Sequence, residues 1–355
     1  MKYYGFYLVI IISGIINSQN FHYHEDDWYV LKNPNTINAI AEDNFNIYFA
    51  TDNGIFQYNK IMEDFKYSYL LSSQFKFTQI RHMIYDSYRD YFWVIHTNGI
   101  HYKSSVSSIW QEMLLYNSGI FSYYEIDDIG ISPEFIWLRS ISEIYPFNPF
   151  TAKLVSLEDA YNDIESIQWG YSQFGDAGNN IDISPFSIDG EWAINFNTIT
   201  NKDGQNIATT IYMKDDNRNH WFGTNVGYIL KGVPYSYRLD LLKIGLPFDH
   251  VTTSYQDKEG NWWFGDSRYK RTGEGISSFN NMASDTPFIA QWDEESNEWT
   301  YYNSKRLKYF KNTDINTILR LGSTVYFGTM AGLLFLDLLT EEWNIIDNTH
   351  GLNDS

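Results

Sequence analysis

The chain has 355 residues, a formal net charge of −19 at pH 7 and no cysteine. A chain this acidic repels phosphate backbones, which argues against a nucleic-acid partner, and it cannot be stabilised by disulfides. Its residues are 43% hydrophobic and 18% aromatic, which is enough apolar material for a packed fold. The acidity alone identifies no cationic partner, because solubility or adaptation to salt explains it equally well.

The N-terminal segment predicts export. Met1-Lys2 supplies a positive charge, residues 6–16 (FYLVIIISGII) are almost unbroken apolar residues, and the small polar Ser18 follows. This pattern is typical of a secretory signal peptide, so residues 1–18 are interpreted as one that is cleaved after Ser18. The apolar run is shorter than the ~20 residues needed to span a bilayer, although an uncleaved anchor is the alternative. We therefore expect a periplasmic or extracellular protein with no membrane span after cleavage.

The rest of the chain repeats one pattern of apolar strand, acidic turn, aromatic strand, small or polar turn and third apolar strand. The clearest copy is residues 37–58, INAIAEDNFNIYFATDNGIFQY. The aromatic strands carry anchors separated by 45, 44, 84, 42 and 63 residues. These intervals indicate a period near 43 residues, which is typical of propeller blades, with one hidden unit and one insertion. The anchors are Tyr48, Trp93, Trp137, Trp221, Trp263 and Tyr326.

This periodicity predicts an all-β protein, a β-propeller of seven four-stranded blades that occupies residues 19–355 as a single domain. The interval from Trp137 to Trp221 is about two periods, so it contains a degenerate unit without a recognisable anchor. An insertion at residues 267–275 interrupts the sixth unit. The predicted blades are residues 36–76, 79–117, 126–158, 161–205, 207–243, 249–303 and 313–347.

The ends of the chain leave two arrangements open. The stretch from Trp28 to Leu31 resembles the outer strand at residues 342–346. Either this strand joins the last blade and closes the ring, which the sequence favours, or the chain is the first part of a longer array.

These units resemble the repeats of the two-component regulator propeller family. The resemblance rests on residues 37–58, on residues 251–266 (VTTSYQDKEGNWWFGD) and on the linker THGLN at residues 349–353. It implies a propeller of the kind found in periplasmic sensing regions of hybrid histidine kinases, often for carbohydrates, and in stand-alone secreted proteins. The sequence contains no transmembrane helix after the propeller and no kinase domain, so ligand or partner binding is the expectation that carries over.

Three residue patterns invite chemical interpretations. The aromatic anchors could form a sugar-stacking platform, but their fixed strand position favours packing between blades. Asp215-x-Asn217-x-Asn219 has the spacing of a calcium loop without its central Gly and distal Glu, so turn chemistry explains it better. His22 and His24 could bind a metal ion, but they lie beside the predicted cleavage site, which argues against a metal site there. We therefore expect no metal and no cofactor, and no catalytic constellation stands out.

The strand order predicts where a binding face lies. In a four-stranded blade, the links after the second and fourth strands emerge on the same side of the ring. In this chain those links carry polar residues, including Arg and His, which are rare in so acidic a protein. The predicted ligand-binding residues are Asp52, Asn53, His96, Asn98, Arg139, Asn225, Asp249, His250, Asp266, Arg268 and Arg271. Solvated loop tips are the alternative interpretation of the same residues.

The sequence thus favours a secreted or periplasmic, non-catalytic propeller that binds a carbohydrate or protein partner in a sensor-like way. Two alternatives stay open: a carbohydrate-active lyase or hydrolase on the same scaffold, and a structural module of a cell-envelope complex.

Overall fold

Within the described residues, most strands pair antiparallel with their chain neighbours, and the strands form six sheets. A computed structural model describes residues 31–75, 79–115, 120, 122–140, 143–189, 192–201, 206–246, 251–266, 287–293, 295, 298–303, 314–330 and 332–347. The chain divides into Met1–Val30 and Leu31–Ser355, and all described residues belong to the second unit. Blades are numbered below by the predicted unit to which they correspond.

The first three blades follow one another along the chain. Blade 1 comprises β1 (Ile37–Glu42), β2 (Asn46–Thr51), β3 (Gly54–Asn59) and β4 (Phe65–Tyr67), followed by the short helix α1 (Tyr69–Ser72). Blade 2 comprises β5 (Ile80–Asp86), β6 (Tyr91–His96), β7 (Gly99–Ser104) and β8 (Gln111–Met113). Blade 3 comprises β9 (Ile126–Ile131), β10 (Ile136–Ser140) and β11 (Glu143–Phe147).

The remaining strands comprise five short ones and three further blades. The short strands are β12 (Gln168–Trp169), β13 (Tyr171–Ser172), β14 (Ser187–Ile188), β15 (Trp192–Asn195) and β16 (Thr198–Asn201). Blade 5 comprises β17 (Asn206–Lys214), β18 (His220–Thr224), β19 (Tyr228–Gly232) and β20 (Arg238–Lys243). Blade 6 comprises β21 (Val251–Gln256), β22 (Asn261–Asp266), β23 (Pro287–Asp293) and β24 (Glu298–Asn303), and blade 7 comprises β25 (Ile315–Leu321), β26 (Thr324–Thr329), β27 (Gly332–Asp337) and β28 (Glu342–Ile346).

The segment predicted as the fourth unit extends the sheets of other blades. β12 pairs with β9 of blade 3, and β13 pairs with β1 of blade 1. β14 runs parallel to β20, while the hairpin β15–β16 extends blade 5 from β17. Within the described part of residues 161–205, these strands form no four-stranded sheet of their own.

Four of the six aromatic anchors pack between neighbouring sheets: Tyr48, Trp93, Trp221 and Trp263. Trp93 lies in the apolar cluster between blades 2 and 3, and Tyr48 lies edge-on to Phe92 with ring centroids 5.0 Å apart, between blades 1 and 2. Burying an aromatic side chain of this size contributes on the order of 2–3 kcal/mol. The anchors therefore contribute to blade packing, as their fixed strand position predicts.

Blade 5 packs against blade 1, although the two are far apart in sequence. The Trp221 ring lies 5.7 Å from the ring of Phe49 and 4.9 Å from that of Tyr58, measured between centroids. Gly223 permits the approach, because a Cβ atom there would lie 2.6 Å from Cγ2 of Ile37.

Blades 6 and 7 meet through equivalent contacts. The rings of Trp263 and Phe327 are 5.9 Å apart, and a Cβ atom at Gly265 would lie 2.6 Å from Cβ of Ile315. The repeated anchor-and-glycine pattern of the aromatic strand therefore encodes one way of stacking sheets.

The acidic turns support the anchors. The Asp215 carboxylate accepts hydrogen bonds from the backbone and side-chain nitrogens of Asn219 and from Nε1 of Trp221, the last at 2.8 Å. Asp257 binds Trp263 in the same way at 3.2 Å. These aspartates close the hairpin and satisfy a buried indole N–H, which explains the calcium-like spacing without an ion.

Each inner strand of the six described sheets contains a β-bulge. In five sheets the register between the first two strands shifts after the first residue of the inner strand, and in blade 5 it shifts after Thr209 of β17; the next residue is left unpaired. A bulge bends the strand and redirects a side chain. The bulge residues are Asn38, Arg81, Asp127, Thr210, Thr252 and Asn316.

The predicted all-β β-propeller is confirmed. Its antiparallel sheets follow the repeat, pack face to face through the anchors and meet along their inner strands. Six of the seven predicted units form sheets in the described residues. The residue ranges assigned to the seven units in the sequence analysis remain predictions.

Candidate functional site

One short segment meets the starts of inner strands from different blades. Residues 172–176, named here the crossing segment, begin at the last residue of β13. The backbone N–H of Gln173 donates to the carbonyl oxygen of Asn38 in blade 1 at 2.8 Å. The hydroxyl of Ser172 donates to the carbonyl oxygen of Arg81 in blade 2 at 2.9 Å. The crossing segment therefore joins blades 1 and 2 at their bulges.

Arg139 joins the crossing segment to blade 3. Its Nη2 atom lies 2.7 Å from a carboxylate oxygen of Asp128 and 2.9 Å from one of Asp176, and its guanidinium lies 4.7 Å from the ring centroid of Trp169. A Cβ atom at Gly175 would lie 2.7 Å from the Asp128 carboxylate, so only glycine fits there without displacement. Burial raises the pKa of Asp128 to about 7, and the adjacent Arg139 opposes this rise.

Arg81 lies beside this ionic cluster in a different environment. The centre of its guanidinium is 3.8 Å from the ring centroid of Phe174 and 5.1 Å from that of Tyr124. The Nε atom is buried and has no hydrogen-bond partner. Burial lowers the pKa of Arg81, whereas the nearby Tyr124 and Asp127 raise it. An arginine side chain stays protonated in proteins, so this group is a cation within interaction distance of two aromatic rings.

Asp52 and Asn53, both predicted site residues, bond to neighbouring protein groups. One Asp52 carboxylate oxygen accepts from the side-chain amides of Asn38 at 2.8 Å and Gln79 at 3.1 Å. The side-chain amide of Asn53 donates to the carbonyl oxygen of Asn33 at 2.8 Å. These contacts hold the turn after β2 in place, and Asn38 connects it to the crossing segment.

His96 and Asn98 belong to a histidine pair in blade 2. The backbone N–H of Asn98 donates to Nδ1 of His96 at 3.2 Å, so the proton of His96 is on Nε2 and points to Nδ1 of His101 at 3.0 Å. Burial, together with the neighbouring His101, lowers the pKa of His96 to about 4. Phe75 packs against both rings. The pair is therefore neutral and internally bonded near pH 7.

The other predicted residues lie in blades 5 and 6. The backbone N–H of Asn225 donates to the carbonyl oxygen of Ala208 at 3.0 Å, and the backbone N–H of Ala208 donates to Oδ1 of Asn225 at 3.1 Å. Asp266 ends β22 and is buried. Four predicted residues lie outside the described residues: Asp249, His250, Arg268 and Arg271.

The structure thus brings only part of the predicted set together. Arg139 forms an ionic cluster, and Asp52 lies two hydrogen bonds from the crossing segment. Among the residues that the structure describes, no group of three or more His, Asp or Glu side chains is arranged to hold a metal ion. His22 and His24 lie outside the described part of the chain.

Sequence reasoning missed Arg81, Asp128 and the crossing segment. Arg81 and Asp128 lie in strands that the repeat marks as apolar and buried, and a charge at such a position is the signal that could have identified them. The crossing segment begins at the end of a two-residue strand and has no repeat pattern of its own.

One family and several solved structures are similar to this chain. Residues 245–268 match the family described as "Two component regulator propeller", which confirms the predicted resemblance over that repeat. No curated protein matches the chain. Among the described residues, no helix has both the length and the apolar character needed to cross a bilayer.

Three solved structures illustrate the similarity. The extracellular domain assigned to a one component system of B. thetaiotaomicron is 10% identical, with a TM-score of 0.26, and the match covers 86% of this chain but only 46% of that one. YCF48 bound to D1 peptide is 9% identical, with 91% and 85% covered and a TM-score of 0.27. A catalytically inactive virginiamycin B lyase from Staphylococcus aureus is 11% identical, with 90% and 87% covered and a TM-score of 0.28.

Proposed function

Since the chain carries a two component regulator propeller repeat on an all-β scaffold, we propose that it is an exported, non-catalytic binding module. Its ligand is a small polar compound, of which a carbohydrate is the leading class. The binding site lies where the crossing segment meets blades 2 and 3. The N-terminal apolar run supports export to the periplasm or the medium.

The observation that carries this proposal is the position of Arg139. Its guanidinium is partly exposed, with a side-chain exposure of 22%, yet it is fixed by Asp128, Asp176 and the ring of Trp169. Such a fixed cation–carboxylate cluster presents donors and acceptors in defined directions at little entropic cost, which favours recognition of a polar ligand.

The same geometry favours binding over catalysis. Asp128 has the raised pKa of a general acid, but its side chain is only 1% exposed and its carboxylate faces Arg139 and Gly175. A general acid must lie within hydrogen-bond reach of its substrate. Asp128 is enclosed by protein, so its role is to hold Arg139 and the crossing segment.

A panel of neutral and acidic mono- and disaccharides, scored for both binding and product release, tests the proposal. We expect at least one compound to bind, and we expect Arg139→Gln to weaken that binding about tenfold or more, because a charge-assisted hydrogen bond contributes about 1.5–3 kcal/mol. Arg238→Gln is the matched control, since it removes the same charge from an exposed pair with Asp189. Equal binding by both variants contradicts the site, and product release contradicts the non-catalytic role.

Export has its own test. Expression of the complete chain in a Gram-negative host, followed by fractionation and N-terminal sequencing, is expected to place the protein in the periplasm with residue 19 first. A cytoplasmic protein that still begins at residue 1 would contradict this part of the proposal.

A further inference from the structure

Arg81 differs from the residues at the same bulge position in other blades. In blades 5 and 6 the bulge residue is a threonine whose hydroxyl donates to the first carbonyl of the next inner strand. Thr210 bonds to Ile37 at 2.6 Å and Thr252 bonds to Ile315 at 2.7 Å. At these bulges the side chain ties one blade to the next.

In blade 2 this bond between blades is made by another residue. Nε2 of His82, the residue after the bulge, lies 3.0 Å from the carbonyl oxygen of Ile126, the first residue of β9. His82 is fully buried, and burial lowers its pKa to about 3, so it acts as a neutral donor. Because His82 joins blades 2 and 3, the Arg81 side chain is not required for this connection.

Among the described residues, the Arg81 guanidinium has no hydrogen-bond partner and no ion-pair partner. Its Nε atom is buried without a partner, and the side chain is only partly covered. The centre of the guanidinium lies 3.8 Å from the ring centroid of Phe174 and 5.1 Å from that of Tyr124, so both rings are within cation–π distance. Arg139, in contrast, is already paired with two carboxylates.

The chemistry of an unpaired, oriented guanidinium specifies its ligand. The planar fork of arginine donors matches a carboxylate, and stacking on aromatic rings fixes the orientation before the ligand arrives. Asp127 is close enough to raise the pKa of Arg81, and Asp128 and Asp176 lie on the adjacent blade and crossing segment. These carboxylates repel a dianion such as phosphate more than a monoanion.

We propose that Arg81 is a carboxylate-binding residue, and that the ligand of this site is a monoanionic carboxylate compound. This inference rests on the proposed binding function and narrows its ligand class to sugar acids or small organic acids. The crossing segment contributes the ring of Phe174, and Arg139 provides the fixed neighbouring surface.

The test uses glucuronate, glucose and acetate as probes at matched ionic strength, with the complete mature protein. The Nε–Hε signal of Arg81 in a ¹H–¹⁵N spectrum, identified by its loss in Arg81→Lys, reports on the site. We expect glucuronate to shift this signal saturably and glucose to leave it unchanged. Lysine lacks the planar fork, so Arg81→Lys should weaken glucuronate binding about tenfold or more.

Two further variants separate a specific loss from misfolding. Arg238→Lys, in an exposed ion pair, should bind glucuronate as the wild type does. Phe174→Leu keeps the cation but removes one ring, and we expect it to weaken binding severalfold while the unfolding transition stays cooperative. Acetate as a third probe distinguishes the source of the carboxylate: binding equal to glucuronate indicates an organic-acid site, and weaker binding indicates a sugar acid.

The outcomes also separate this inference from the binding proposal. If glucose shifts the signals of the crossing segment as strongly as glucuronate does, or if Arg81→Lys binds glucuronate normally, the carboxylate inference is overturned and the binding module stands. If none of the three probes, and no member of the saccharide panel, perturbs these signals, both proposals fail.

Discussion

The packing of blade 5 on blade 1 leads to a quantitative prediction. Trp221 is 1% exposed, lies 5.7 Å from Phe49 and donates its indole N–H to Asp215. Replacing either ring by leucine removes buried contacts and leaves space behind. We expect Trp221→Leu and Phe49→Leu each to lower the free energy of unfolding by about 2–3 kcal/mol.

The double variant reports on the contact itself. Aromatic pairs in contact contribute about 0.5–1.5 kcal/mol beyond their burial, and this term can be lost only once. Trp221→Leu combined with Phe49→Leu should therefore cost about 1 kcal/mol less than the sum of the two single changes. Urea unfolding followed by far-ultraviolet circular dichroism measures all four proteins without relying on tryptophan fluorescence.

Double-mutant cycles on two further residue pairs serve as controls for this measurement. Trp263 and Phe327, whose rings are 5.9 Å apart in blades 6 and 7, should show a coupling of similar size. Phe49 and Trp263 belong to separate apolar clusters and should be additive. Additivity of Phe49 and Trp221 within about 0.5 kcal/mol would refute the arrangement in which blade 5 adjoins blade 1.

Three other outcomes follow from individual contacts. Asp215→Ala should cost about 2–3 kcal/mol in urea unfolding, because it leaves the buried indole N–H of Trp221 without an acceptor, whereas Asp215→Asn should cost less. Gly223→Ala should cost about 1–3 kcal/mol in urea unfolding through overlap with Ile37 and Ile211. Because the pKa of His82 is about 3 when folded and 6.5 when unfolded, its contribution to stability should fall as the pH drops from 6.5 towards 3. The ring signals of His82 should accordingly stay constant from pH 8 to about 4.5, and a titration midpoint near 6 would contradict this assignment.

The sequence was sufficient for the fold class and for six of the seven predicted sheets because the signals that encode them are local. Alternating apolar residues, turn formers and an aromatic anchor all lie within one short unit, and their repetition fixes the sheets. Trp93 and Trp263 pack between blades as their strand position predicts. The same locality explains why the sequence alone predicts Asp215 as a turn residue.

The candidate site could be predicted only in part because it depends on non-local contacts. A bulge adds one residue to an inner strand, so simple alternation assigns Arg81 to the wrong environment. The crossing segment is positioned by the edges of β1 and β9, which lie far from it in sequence. Arg139 was found because it follows an anchor, whereas its partners Asp128 and Asp176 follow no pattern.

The repeated bulge has a consequence for how such a propeller can be modified. One side chain per blade occupies the same geometric position, and its identity varies from Asn38 through Arg81 and Asp127 to Thr210. A threonine at this position donates a hydrogen bond to the adjacent sheet, but in blade 2 the neighbouring histidine makes the equivalent bond. Replacing a single bulge residue, together with a neighbour that supplies the hydrogen bond between blades, would change the charge that one blade presents without altering the aromatic anchors.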